Sequence, residues 1–394
     1  MNDERWLLPE GIDEVLPPEA WQLEAVRRRL LDLFRTWGYE LVIPPFIEYL
    51  ESLLTGTGRD LELQTFKLTD QLSGRLMGIR ADITPQAARL DAHQLRRDEP
   101  TRLCYLGTVL HSRPDGFAGS RSPLQLGAEL YGHAGVESDV EVVCLMMETL
   151  AAAGVRDVYL DLGHVGVYRG LARAAALTAG QETTLFDALQ RKAEPEIEAL
   201  VGQLGVAEPL ARMLLALAEL NGGAEVCALA RVQLARAPAD VLDAIDYVEA
   251  VGRELERRLP GVPVHVDLAE LRAYHYQTGV VFAAFVPGEG EEIARGGRYD
   301  NIGREFGRAR PATGFSADLK TMLRVAGHPT PVEEAPRIFA PAIVDAGLDA
   351  AIAALRARGR IVVRELPGQV GDAVAMGCGQ QLVYTGKGWV TEPV

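Results

Sequence analysis

A chain of 394 residues, 48% hydrophobic and 24% charged, has the make-up of an ordinary soluble globular protein with room for two or three domains. Its net charge of −15 speaks against nucleic-acid phosphates as the main partner, though a local basic patch is compatible with an acidic total. No apolar run approaches the roughly 20 residues that span a bilayer, and the acidic start MNDERWLLPEGIDE carries no secretory signal.

Cys104, Cys144, Cys227 and Cys378 are scattered without CxxC spacing, which argues against zinc and against a disulfide framework. A cytoplasmic protein with no metal and no cofactor is the expectation. Residues 1–18 are irregular, punctuated by LPEG and LPPE. From Trp21 to Trp37 the apolar residues Leu23, Val26, Leu30, Leu33 and Phe34 recur at helical spacing, and Gly38 supplies a stop. In YELVIPPFIEYLESLL a short strand ends at Pro44 and Pro45, because proline donates nothing to a ladder. Residues 65–90 predict a hairpin turning at Ser73 and Gly74, followed by RADITP, with Pro85 at a first helical position. Asp82 there reads equally well as a plain helix cap or as an acid facing a ligand.

RLCYLGTVLHSRP (102–114) predicts a strand that ends in a polar loop, and PLQLGAELYG a second strand. Alternation puts Gln125, Gly127 and Glu129 on one face. Solvation would suit them, whereas a buried face would need them to bond something, such as a ligand amine. Residues 137–153 predict a helix closed by Gly154, and VYLDLGHVGVY a strand. From 169 to 259 the composition shifts to Ala, Leu, Glu and Arg in helix-length segments, a helical insertion between two parts of one sheet-rich core, 1–168 and 260–325.

Residues 271–323 combine a polar-aromatic cluster (Tyr274, His275, Tyr276, Gln277), an apolar strand, then Gly296, Gly297, Arg298, Tyr299 and Asp300. Aromatic hydroxyls, amides and a cation at strand ends suit a small polar ligand. GEGEE (288–292) is a hairpin turn rather than a phosphate loop, since no helix follows and its charges repel anions. A Pro- and Gly-rich linker (326–336) leads to a small α/β unit (337–394), which ends in a short apolar piece, QQLVYTGKGW.

Over about residues 5–325 the chain resembles the histidine-binding branch of class II aminoacyl-tRNA synthetases. GYELVIPPFIEY is similar to that family's dimer-interface motif, IRADITPQ to its loop for the substrate amino group, and LQLGAELYG to the strand that faces histidine. LRAYHYQTGVVF and GGRYD resemble the two histidine-specific motifs. The resemblance implies an α+β fold: an antiparallel sheet flanked by helices, with a helical insertion and a small C-terminal domain. It implies a histidine site made of Asp82, Thr84, Arg113, Gln125, Glu129, Arg272, Tyr274, His275, Tyr276 and Tyr299. The amino group is expected on Asp82, Thr84, Gln125 and Glu129, the imidazole toward Tyr274–Gln277 and Tyr299, and the carboxylate on Arg113 or Arg272.

Adenylation needs cations along the triphosphate, and here the chain departs from the synthetases. Where their second motif reads like Phe-Arg-x-Glu, this sequence has Val109, Leu110, His111, Ser112, Arg113 and Pro114. His111 takes the arginine position, although a loop residue without a role reads equally well. Where their third motif ends Gly-Leu-Glu-Arg-Leu, Thr321 replaces the arginine. Losing one such contact costs about 2–4 kcal/mol of transition-state stabilisation. The tail is also about half the length of an anticodon-binding domain, which speaks against tRNA.

An intact amino-acid half beside a dismantled ATP half resembles the synthetase-like regulatory subunits of ATP phosphoribosyltransferase. That resemblance implies no catalytic residues of its own. It also implies a short-form catalytic partner that is activated by this subunit and inhibited through it by histidine, and a homodimeric core within a hetero-octamer. An active histidyl-tRNA synthetase is the alternative, and a free-standing enzyme using the leftover site a third reading.

Overall fold

The computed structural model describes residues 6–55, 59–114, 120–270, 276–327 and 336–394. Two compact units emerge, Met1–Pro329 and Thr330–Val394. The first is built on a nine-stranded sheet. Its strands are β1 (Glu40–Leu41), β5 (Thr101–Thr108), β6 (Leu124–Tyr131), β7 (Tyr159–His164), β8 (Asn221–Gly222), β9 (Val264–Asp267), β10 (Val280–Phe285), β11 (Ala294–Arg298) and β12 (Ala312–Asp318), in the order β1-β5-β6-β12-β11-β10-β7-β9-β8. Pairing is antiparallel except for β1 with β5 and β7 with β9. A separate antiparallel sheet joins β2 (Ile47–Tyr49), β4 (Leu76–Ile79) and β3 (Phe66–Thr69).

Helices cover the sheet because their apolar residues fall on one stripe. Glu19–Thr36 buries Val26, Leu30 and Phe34, four residues apart, and Phe34 meets Phe315 of β12 edge-on. Val136–Ala152 is buried nearly all round, since it lies between the sheet and a second helix, Ala239–Arg258. That second helix buries Val241, Ile245, Val248, Val251 and Leu255. These residues belong to one hydrophobic cluster that runs from Val26 to Met322.

Three stretches differ from the sequence expectation. The run 158–168 is not one strand: β7 stops at His164, whose Nδ1 accepts the Gly166 N–H at 3.0 Å and starts the helix Val165–Ala174. Val165, Tyr168, Leu171 and Ala172 then recur at helical spacing into the core, and this outweighs the β-propensity of the valines. The stretch 169–259 is helical apart from β8, which pairs with β9 and so extends the sheet edge. QQLVYTGKGW, expected as a short piece, opens a hairpin: β15 (Gln380–Tyr384) pairs with β16 (Trp389–Pro393), and Gly386 takes a positive φ of 81° in the turn.

In the second unit β15 and β16 join β13 (Ile338–Ala340) and β14 (Val362–Arg364) in the order β14-β13-β15-β16, with β13 parallel to both β14 and β15. One helix, Ala346–Ala357, packs there over a core of Ile338, Ala340, Leu348, Ile352, Val362 and Leu382. Among the described residues no helix is long and apolar enough to cross a membrane.

Candidate ligand site on the central strands

Strand register assembles the site. On β6 Gln125, Gly127 and Glu129 share a face and pair with Gly107, Tyr105 and Leu103 of β5. Gly127 leaves room for the Tyr105 phenol, since a Cβ there would lie 2.4 Å from the hydroxyl. On the other side β12 places Gly314 opposite Glu129, where a Cβ would lie 1.5 Å from Oε2. Two missing side chains thus create the space that a tyrosine and a carboxyl fill.

Glu129 is 1% exposed. Tyr105 donates its hydroxyl to Oε1 at 2.9 Å, and Tyr299 donates to Oε2. The Thr84 hydroxyl lies 2.9 Å from that of Tyr105. With the Tyr105 proton on Glu129, Thr84 is the donor to Tyr105, and a relay runs Thr84 to Tyr105 to Glu129. Burial pushes the Glu129 carboxyl up to about 8; the two tyrosine hydroxyls pull it down in part, and the charge of Asp82 adds to the rise. Burial also pushes the phenols of Tyr105, Tyr131, Tyr276 and Tyr299 well above their ordinary range, so they stay neutral donors.

Beside this floor lies a second cluster. Asp82 Oδ1 accepts the Gln125 amide at 2.7 Å and the Thr84 N–H at 2.9 Å, while Gln125 Oε1 accepts the Ile83 N–H at 2.9 Å. The contacts of Asp82 bear on its reading as a cap. Its carboxylate holds the first turn of the Thr84–Arg89 helix through Thr84, although the N-cap position itself belongs to Ile83, and it also locks Gln125.

Aromatic rings close the floor. Tyr276 stacks on Tyr299 with centroids 5.1 Å apart, and Tyr131 meets Tyr299 edge-on at 6.4 Å. Among the described residues, the hydroxyls of Tyr131 and Tyr276 and the Oε1 of Gln277 are buried without a hydrogen-bond partner. Such atoms cost stability unless something fills the space beside them.

Of the expected residues, Asp82, Thr84, Gln125, Glu129, Tyr276 and Tyr299 come together. Arg113 is exposed in the bend after β5 and makes no hydrogen bond with the cluster. Arg272, Tyr274 and His275 lie outside the described residues. Arg298 faces away, buried against Asp139 at 3.0 Å and Ser138 at 2.9 Å, so Tyr299 alone in GGRYD serves the floor. Sequence reasoning missed Tyr105 and Tyr131. The alternation of LQLGAELYG places Tyr131 on the Glu129 face and was readable, whereas Tyr105 depends on the β5–β6 register.

Where an ATP-binding cation is expected, both side chains bond the chain itself, although the Nδ1 of His111 is buried without a partner among the described residues. His111 Nε2 bonds the Ala81 carbonyl at 2.9 Å. The Thr321 hydroxyl and N–H both bond Asp318 Oδ2, at 2.8 and 3.2 Å, as the N-terminal cap of the Leu319–Ala326 helix. Among the described residues no group of His, Cys, Asp or Glu is placed to hold a metal, and all four cysteines are free and buried. An open cleft of about 590 Å³ lies elsewhere, among helices between Glu194 and Arg236, and no buried polar side chain lines it.

Residues 11–322 match the family model described as histidyl-tRNA synthetase, and residues 335–392 match the ATP phosphoribosyltransferase subunit HisZ C-terminal domain. A curated relative from Thioalkalivibrio sulfidiphilus, named ATP phosphoribosyltransferase regulatory subunit, is 62% identical over 98% of both chains. Another of that name, from Alkalilimnicola ehrlichii, is 60% identical over 100% of this chain and 98% of its own. The chain belongs to the ATP phosphoribosyltransferase regulatory subunit family. It has that family's α+β, class II histidyl-tRNA synthetase-like fold. A solved structure from Bacillus halodurans, titled as an ATP phosphoribosyltransferase regulatory subunit/histidyl-tRNA synthetase, superposes with a TM-score of 0.82 at 27% identity, covering 94% of this chain and 95% of that one. The histidyl-tRNA synthetase of Nostoc sp. PCC 7120 shares the fold at TM-score 0.77 and 18% identity, covering 98% and 97%.

Proposed function

We propose that this chain is the non-catalytic regulatory subunit of an ATP phosphoribosyltransferase, with free histidine as its signal. The observation that carries the reading is the contrast inside one ancestral site. The amino-acid side keeps a buried Glu129 with partnerless hydroxyls around it. At the two positions matched to synthetase arginines, His111 and Thr321 instead bond the protein's own backbone and cap. Neither replaces a guanidinium that neutralises phosphate charge.

Histidine fits the two clusters end to end. Gln125 and Glu129 are four residues apart on β6, roughly 13 Å along the strand, and the Tyr105 hydroxyl stands between Thr84 and Glu129. In this reading the ammonium sits toward Asp82 and Gln125, and Glu129 faces the ring together with Tyr276 and Tyr299. This refines the expectation that put Glu129 on the amine.

The partner is a short-form catalytic subunit that the complex activates and that histidine inhibits. Ligand control of that kind requires different histidine affinities in the active and inhibited assemblies. A homodimeric core rests on the segment around Pro45, where Leu41, Ile43, Phe46, Ile47 and Tyr49 are exposed beside the edge strands β1 and β2. tRNA is not a partner in this reading, given a C-terminal unit that matches the HisZ C-terminal domain and the acidic charge.

Turnover of a short-form phosphoribosyltransferase, measured with and without this chain and histidine, tests the proposal. Activation by the chain and inhibition by histidine are expected. Histidine-dependent exchange of pyrophosphate into ATP should be undetectable, and a robust exchange rate would establish a synthetase instead.

A further inference from the structure

Glu129 occupies a pocket whose described residues donate to an anion and supply no cation. Two hydroxyls donate to its two oxygens, a pattern that suits a carboxylate better than an acid, which spends one oxygen on its own proton. Among the described residues the titratable groups facing it from the surrounding elements are acidic or phenolic. They are Asp82 from the loop before Thr84–Arg89, Tyr105 from β5, Tyr131 from β6, Tyr276 ahead of β10 and Tyr299 after β11. Among the described residues no ion pair reaches it. Charge without a counter-ion is costly at such burial, so the empty pocket favours the neutral acid, in line with a carboxyl pushed up to about 8.

We propose, on the reading that the histidine ring faces Glu129, that carboxyl and ring hold one proton between them. On binding, the Glu129 O–H bond breaks and the proton moves to a ring nitrogen. A carboxylate–imidazolium pair results, and near neutral pH no proton is exchanged with solvent. The ring then supplies a cation beside Glu129, and both tyrosine hydroxyls meet the anion they are placed to meet.

The pair dictates a pH profile. The free ring titrates near about 6.5. Below that, histidine arrives already protonated, Glu129 must release its proton, and affinity falls about tenfold per pH unit. Above the carboxyl's own titration the complex must take up a proton, and affinity falls again with the same slope. Between the two limbs it is flat. The pocket also selects by basicity: a ring of the same shape that does not hold a proton forms no pair.

Calorimetric titration of the full chain with histidine, in phosphate and in Tris at about pH 7.2, counts the exchanged protons. Equal heats in both buffers are expected, with close to one proton released at about pH 5.5. The weakly basic analogue 1,2,4-triazole-3-alanine should bind at least about tenfold more weakly at neutral pH, because it cannot accept the proton. E129Q, which keeps the shape, should lose the alkaline limb. Release of a full proton at neutral pH, or a triazole analogue that binds as tightly as histidine, overturns the shared proton while leaving the histidine site standing. No histidine binding by calorimetry or equilibrium dialysis removes the site, and this inference with it.

Discussion

The two ends of β12 treat polar groups in opposite ways. At Gly314 the strand gives up its side chain so that the Glu129 carboxyl fits, and the hydroxyls of Tyr131 and Tyr276 nearby stay without partners. At Asp318, four residues on, the carboxylate is spent entirely on the chain. Oδ1 accepts the N–H groups of Leu124 and Lys320, and Oδ2 accepts the N–H and hydroxyl of Thr321. Buried polar atoms left open are costly, and a ligand is one way to complete them. Polar atoms satisfied by the backbone are capping structure. On the proposed reading, the difference separates a ligand site from one turned into scaffold.

Substitutions at the two ends test that contrast. The largest effect is expected from Gly314→Ala, whose new Cβ would lie 1.5 Å from Glu129 Oε2 and 2.8 Å from the Ala128 carbonyl. Overpacking of this kind costs about 3 kcal/mol, read by denaturant unfolding, and histidine binding should vanish with it. A variant of wild-type stability and affinity would show that the cradle is not tight.

Glu129→Ala comes next. It leaves the Tyr105 and Tyr299 hydroxyls without an acceptor, at about 1–3 kcal/mol, so a marked loss of stability and of inhibition by histidine should accompany largely intact activation of the catalytic partner. Unchanged inhibition would take Glu129 out of the site.

The pH dependence of unfolding probes the same group without a ligand. Folding raises the Glu129 carboxyl from the ordinary range to about 8, so between those values the folded state binds more protons than the unfolded one. Its contribution is therefore complete below the unfolded pKa and is lost as pH rises toward about 8, by at most about 1.4 kcal/mol per unit. Glu129→Gln should flatten that limb, and an identical slope in the variant would assign the dependence to another group.

The smallest effect is expected at the other end. Thr321→Val removes one hydroxyl bond to Asp318 while the backbone bonds remain, at roughly 0.5–1 kcal/mol. Histidine affinity, measured by calorimetry, should not move. A large drop would mean that the cap still serves the pocket.

Much of this was readable along the chain. The stripe Val26, Leu30, Phe34 specified its helix, and alternation in LQLGAELYG put Gln125 and Glu129 on one face. Local chemistry specifies local geometry, so these features survive in sequence. The helical stretch that follows His164 was misread as strand, because a cap bond between a histidine ring and a backbone N–H has no periodic signature.

By itself the sequence determined that Gln125 and Glu129 share one strand face, and that His111 and Thr321 stand where the resemblance to the synthetases leads one to expect arginines. Only tertiary structure decided that Gly127 and Gly314 face Tyr105 and Glu129, that Arg298 turns into the core, and that Tyr105 links Thr84 to Glu129. Those facts depend on register between strands far apart in sequence. A shift of one residue would turn every one of those side chains to the other face.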